Sequence, residues 1–156
     1  MSTSQWTNRI KQKSKILPLL ILLITISTDQ YTKLLARRIL EPTSEVSFFY
    51  NFIGFSLIKN HGGFLGIVSE LPEKIQFFLL NICVSVLLLC CLAYLFVYKN
   101  STARYDIFLA AIVGGGASNL LDRLLHNGGV TDFLSIGVGN LRTGIFNLAD
   151  VYILTG

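Results

Sequence analysis

The chain has 156 residues, of which 52% are hydrophobic and only 14% charged. A soluble domain carries about 25% charged residues, so this balance, with a mean hydropathy of +0.59, points to one domain built into a membrane and leaves no polar stretch for a separate soluble domain. The net charge of +4 comes without the basic stripe and aromatic platforms that nucleic acid requires.

Arg9, Lys11, Lys13 and Lys15 precede the first apolar run, with no acid among them. Such a tail marks the cytoplasmic side of a membrane protein. The run Ile16 to Thr28 is not closed by an A-x-A site, and its helical pattern continues to about Leu40, which predicts a retained first span over about 16–35 rather than a cleaved signal peptide. Glu41 to Ser44 then break the helix. Val46, Phe48, Phe49, Tyr50, Phe52, Ile53 and Phe55 are aromatic and β-branched, and predict a small sheet at the membrane surface. Asn60-His61-Gly62-Gly63 is a turn signal.

Ile75 to Tyr98 contains no charged residue, and at 1.5 Å per residue it reaches about 36 Å, enough to cross a bilayer with tilt. Its three cysteines, Cys83, Cys90 and Cys91, lack a CxxC spacing and read as small apolar side chains of a helix. His61 and His126 are too few and too scattered for a metal site. A third span is predicted over about 105–122, bounded by Asp106 and Asp122; its run Gly114-Gly115-Gly116-Ala117-Ser118 suits close helix packing better than a hinge. Residues 124–145 read as an external loop. A fourth span begins at about 146, and the residues up to 156 are too few to cross a bilayer, so that helix reads as truncated or incomplete. The expected architecture is an all-α membrane domain over 1–156, a four-helix bundle with a small extracytoplasmic sheet and a cytoplasmic N-terminus.

Ionisable residues at the ends of spans are costly and need a reason. Asp29, Asp122, Asp132 and Asp150 all fall near one predicted face. Asp29 and Lys33 are four apart on one helix face, as an ion pair or with Lys33 reserved for a substrate or loop. Asn119 and Asp122 share a face, and Arg123 points elsewhere. Asp150 fits the first turn of a helix capped by Asn147, and Asp132 fits a turn acid. Two carboxylates held close also share a proton, so that one acts as base and the other as acid. The sequence holds no rival Ser-His-Asp or Cys-His arrangement.

Five segments resemble the lipoprotein signal peptidases, also called signal peptidase II. They are Asp29-Gln30-Tyr31-Thr32-Lys33, Asn60-His61-Gly62, Gly114 to Arg123, Val130-Thr131-Asp132-Phe133, and Phe146-Asn147-Leu148-Ala149-Asp150. The resemblance implies an aspartic endopeptidase with Asp132 and Asp150 as the catalytic pair. It assigns supporting or substrate-binding positions to Asp29, Lys33, Asn60, Gly62, Asn119, Asp122, Arg123, Asn147 and Ala149. It further implies a monomer of the bacterial inner membrane, in contact with membrane lipids and free of metal and cofactor. The substrate would be a prolipoprotein whose cysteine carries diacylglycerol, cut just before that cysteine, and the inhibitor would be of the globomycin type. Two departures stand out. Gly63-Phe64-Leu65 replaces the family's Ala-Ala-Phe, with Phe64 expected to narrow access, and Ser135 to Ile145 differs from the commonest family pattern and is expected to alter a lid. The rival readings are a catalytically silent homologue that binds lipidated proteins and a small carboxylate-dependent transporter subunit.

Overall fold

The computed structural model describes residues 3–42, 44–62, 68, 70–98, 101–138 and 141–156, with side chains described from residue 15 onward. The departure at Gly63-Phe64-Leu65 lies outside these residues. Helix α1 (Thr3–Ile39) is followed by strands β1 (Glu45–Phe48) and β2 (Ile53–Asn60). A continuous helix comes next, made of α2 (Glu73–Phe77), a π-helical stretch (Phe78–Cys83) and α3 (Val84–Val97). Helix α4 (Ala103–Leu125), strands β3 (Val130–Val138) and β4 (Leu141–Arg142), and helix α5 (Leu148–Thr155) complete the chain.

Among the described residues, three helical segments are long and apolar enough to cross a membrane: Lys15–Ile39, Glu73–Val97 and Ala103–Leu125. The middle one is the most apolar, with a mean hydropathy of 2.6 against 1.3 for the others, because no Asp, Glu, Lys or Arg follows Lys74 in it. The third runs beyond the predicted 105–122 at both ends, and Asp106 and Asp122, read as its bounds, lie within the helix and are both buried. The expected fourth crossing is represented by α5, which has eight residues, below the length of a span.

Polarity is inverted relative to a soluble protein. Leu23, Ile24, Leu87 and Leu89 are exposed on the helix surfaces, while Asp29, Lys33, Asp122 and Asn147 are fully buried. Apolar side chains therefore face outward, toward lipid, and the interior is polar and internally paired.

The predicted sheet is present but larger than expected. It has four antiparallel strands in the order β1-β2-β3-β4. Residues 124–145 are therefore not a simple external loop: Val130–Val138 and Leu141–Arg142 form half of the sheet. Loop-like composition misled here, because Asp132 and Gly137 are poor strand formers on their own and are held by pairing with β2 and β4. The register opposes Ile58 to Asp132 and Asn60 to Val130, while Phe55 opposes Leu134, so β2 carries one extra residue between Phe55 and Ile58. This bulge lies beside Asp132 and bends the strand there. The expected lid, Ser135 to Ile145, is in its described part the end of β3, β4 and the lead into α5.

Chain connectivity places the sheet at one end of the helices, where α1 and α4 finish and α2 starts. At the other end Lys15 Nζ donates to the Leu95 and Tyr98 carbonyls and lies 3.9 Å from Asp106. This contact ties α1 to α3 and α4.

Candidate active site

Five elements, α1, β2, α4, β3 and α5, converge at the sheet-bearing end. Phe146 prepares the site: its N–H donates to the Leu134 carbonyl at 2.8 Å and its carbonyl accepts from Leu134 N–H at 2.9 Å. This pairing with β3 brings the start of α5 alongside Asp132. Asn147 then caps α5. Its Oδ1 accepts from Asp150 N–H at 3.0 Å, and its own N–H donates to Asp150 Oδ2 at 3.1 Å, which makes a reciprocal capping box. The same side chain also donates through Nδ2 to Asp132 Oδ1 at 2.7 Å and to Asn119 Oδ1 at 3.1 Å. One residue thus touches both carboxylates named from sequence.

Asp132 is 2% exposed and accepts a second hydrogen bond, from Asn60 Nδ2 at 2.8 Å. Asn60 is itself oriented by accepting from Gly62 N–H at 3.0 Å. Burial pushes the Asp132 carboxyl up to about 6; the hydrogen bond from Asn60 opposes this and the negative charge of Asp150 adds to it. A cavity of about 390 Å³, lined in part by Ile58, Asn60, Gly62 and Ile145, opens onto Asp132. Asp150 accepts from Asn119 Nδ2 at 2.9 Å.

Behind this pair lies a fully buried ionic layer. Lys33 Nζ is 2.7 Å from Asp29 Oδ2 and 3.5 Å from Asp122 Oδ2, and donates to Asn119 Oδ1 at 2.8 Å. Asp29 also accepts from Ser118 Oγ at 2.7 Å and from Ala149 N–H at 2.8 Å. The second contact satisfies one of the N–H groups left open at the start of α5, so a carboxylate on α1 anchors that helix by its positive end. Asp122 accepts from Thr131 N–H at 2.8 Å, which fixes the strand one residue before Asp132. Arg123 interacts electrostatically with Asp150, Asp132 and Asp122, and its buried Nε has no hydrogen-bond partner.

The profile of the signal peptidase (SPase) II family matches residues 21–156. The chain belongs to the signal peptidase II family. The lipoprotein signal peptidase of Francisella tularensis subsp. novicida is 33% identical over 150 residues, covering 96% of this chain and 90% of the relative. That of Caldicellulosiruptor bescii is 33% identical over 137 residues, covering 88% and 83%. Two solved bacterial membrane enzymes, determined by the in meso method, share the fold. Their TM-scores are 0.72 and 0.71 at 22% and 23% identity; each alignment covers 88% of this chain, and 80% and 84% of the respective structures.

The structure brings together the residues singled out from sequence: Asp29, Lys33, Asn60, Gly62, Asn119, Asp122, Arg123, Asp132, Asn147, Ala149 and Asp150. Sequence reasoning missed Gln30, Arg37, Ser118 and Thr131 as site-forming residues. Gln30 Nε2 donates to Ser118 Oγ at 3.0 Å. Arg37 Nη1 donates to Thr131 Oγ1 at 2.6 Å and lies 3.6 Å from Asp122. Arg37 was readable, since Asp29, Lys33 and Arg37 recur every four residues on one face. Thr131 carried no signal, because its role depends on β3 lying against the end of α4.

Proposed function

We propose that this protein is an aspartic endopeptidase that removes signal peptides from diacylglyceryl-modified prolipoproteins, with Asp132 and Asp150 as the working pair. The observation that carries the reading is the shared neighbour: Asn147 holds Asp132 with its side-chain amide and Asp150 with its backbone N–H. Family membership and the lipoprotein signal peptidase names of the relatives support the substrate class. Asp132, with its carboxyl raised to about 6, is the better holder of a shared proton. Asp150 then takes the proton from an attacking water, while Asp132 hydrogen-bonds to the scissile carbonyl and later delivers a proton to the leaving amine. Arg123 supplies positive charge toward both carboxylates and an unpaired donor for a substrate carbonyl. The acyl chains lie between helices and set the depth of the cut before the modified cysteine.

The sheet-bearing end faces away from the cytoplasm in this reading, because the unopposed basic tail leads into the other end. Residues 1–156 act as a single domain and as a monomer, and an inhibitor of the globomycin type competes with substrate at the two aspartates. A transporter would place its acids at mid-depth, whereas these gather at one end of the helices.

The decisive experiment is cleavage of a lipidated prolipoprotein by the purified chain and by Asp132→Asn and Asp150→Asn, with membrane insertion checked in parallel. Both variants are expected to insert and to lose processing. Normal processing by either one overturns the assignment.

A further inference from the structure

A second cavity shares Ile58 and Lys59 with the one at Asp132 but is lined by neither aspartate of the proposed pair, and the chemistry above does not use it. It measures about 340 Å³, within the size range of small-ligand sites. Leu57, Ile58 and Leu125 give it an apolar wall, and Arg37, Lys59 and His126 bring three basic side chains to it. Arg37 lies in the last turn of α1, and His126 is the C-cap of α4. Both helices have the length and composition of membrane spans, so the cavity sits where they leave the apolar layer, at headgroup depth.

Helix ends account for part of this charge. Basic groups near a C-terminus are favoured by the helix dipole, and His126 Nδ1 lies 3.2 Å from the Asp122 carbonyl. Asp122 does not neutralise the cavity from within. It is fully buried and occupied by Thr131 and Lys33, and it holds Arg37 and His126 at 3.6 and 3.5 Å from behind. Lys59 has no such explanation, since it comes from a strand. Its stem lies against Gly129, where an added Cβ would stand 2.6 Å from both Cγ and Cε. A residue without a side chain thus leaves the path that Lys59 follows to the cavity.

We infer that this cavity seats the phosphate of an anionic membrane phospholipid. Arg37, Lys59 and His126 face the phosphate, and Leu57, Ile58 and Leu125 face the glycerol and the first methylenes. Such a lipid braces the junction of α1, α4 and the sheet. The inference rests on the membrane reading alone and not on the proposed chemistry, so loss of the protease assignment leaves it standing.

The test is native mass spectrometry of the full chain released from vesicles of equimolar phosphatidylglycerol and phosphatidylcholine with matched acyl chains. Preferential retention of one phosphatidylglycerol is expected. Lys59→Gln is expected to reduce that preference about fivefold, the worth of one basic residue at an anionic surface. Gly129→Ala displaces the Lys59 stem without changing charge and is expected to reduce it as well, and His126→Gln provides an independent third reading should either variant fold poorly. Equal retention of the two lipids, or a preference unchanged in these variants, overturns the proposal. Displacement of the bound lipid by millimolar inorganic phosphate assigns the cavity to a free anion and overturns it too.

Discussion

Asn147 is a hub of the candidate site. Its amide has two N–H donors and one acceptor oxygen, and all are used, on Asp132, Asn119 and Asp150. Asn147→Ala is expected to cost about 1–2 kcal/mol from the cap alone and to reduce processing by far more than it reduces thermal stability. Asn147→Asp keeps the cap but sets a third carboxylate against Asp132; the expected outcome is a folded protein with little activity. Lys33 makes a different case. It is fully buried between Asp29 and Asp122, so Lys33→Ala strands two buried carboxylates, and a loss of about 3–5 kcal/mol is expected in thermal or denaturant unfolding. The raised carboxyl of Asp132 has its own signature. Folded, it binds a proton up to about pH 6; unfolded, it does so only up to the ordinary 3.8. Its contribution to stability is therefore full below pH 3.8 and is lost as the pH rises through 6, by at most about 3 kcal/mol. The difference in thermal midpoint between wild type and Asp132→Asn is expected to move in the variant's favour across that window, and a flat difference contradicts the burial argument. At this scale the sequence was most legible where two roles coincide: Asn147 as helix cap and Asp150 in the first turn were readable from spacing, and the capping box is what carries Asp150 to the site. The charge partners across elements, such as Thr131 with Asp122, were not, since spacing along one element says nothing about contacts between two.

The glycines of α4 decide how closely elements approach. Successive helical residues are about 100° apart, so three glycines in a row open the helix toward three neighbours. A Cβ at Gly114 would strike the Thr25 hydroxyl of α1, one at Gly115 would lie 2.6 Å from the Ala149 carbonyl of α5, and one at Gly116 would lie 2.8 Å from Leu88 of α3. The run is thus a packing device, as its composition suggests. Gly115→Ala meets backbone rather than a flexible side chain, and it pushes on the helix that bears Asp150. A clear loss of processing with a smaller loss of stability is expected, while Gly116→Ala, which meets only the Leu88 side chain, is expected to be milder in the same assay. In the sheet, Phe49, Tyr50 and Asn51 all adopt left-handed backbone, with φ of 53, 56 and 68°, a conformation that costs non-glycine residues about 1 kcal/mol or more each. Arg142 holds this turn by donating to both the Asn51 carbonyl and its Oδ1 at 2.8 Å, while also reaching Ser135 and Glu45. The segment expected to form a lid is therefore an anchor for the β1–β2 turn. Helices were legible because apolar runs announce themselves. Strand β3 was not, because its pairing partner lies far away in sequence.

Among the described residues, the buried charges gather at two levels. One is the aspartate layer beneath the sheet; the other is Lys15 with Asp106 at the opposite end of the helices. Asp106 is buried and its Oδ1 has no hydrogen-bond partner, so Lys15 is its principal compensation. Lys15→Met is expected to destabilise the protein by about 3 kcal/mol, with Asp106→Asn in the same chain restoring most of it in thermal unfolding. Additive losses in the double variant contradict this pairing. The inverted polarity of the fold, apolar outside and ionic within, was evident from composition. The depth of each charge became visible only once the helices were placed against one another.

The capping box has a consequence for biosynthesis. Asp132 is translated before the segment that supplies its partner, and Asp150 is aimed only when Asn147 has closed the first turn of α5. A nascent chain that has already inserted its three long helices still holds a lone carboxyl at the surface of its sheet. On the proposed assignment, ribosome-bound intermediates ending before residue 147 are expected to be inert, and activity is expected to arrive in one step with α5.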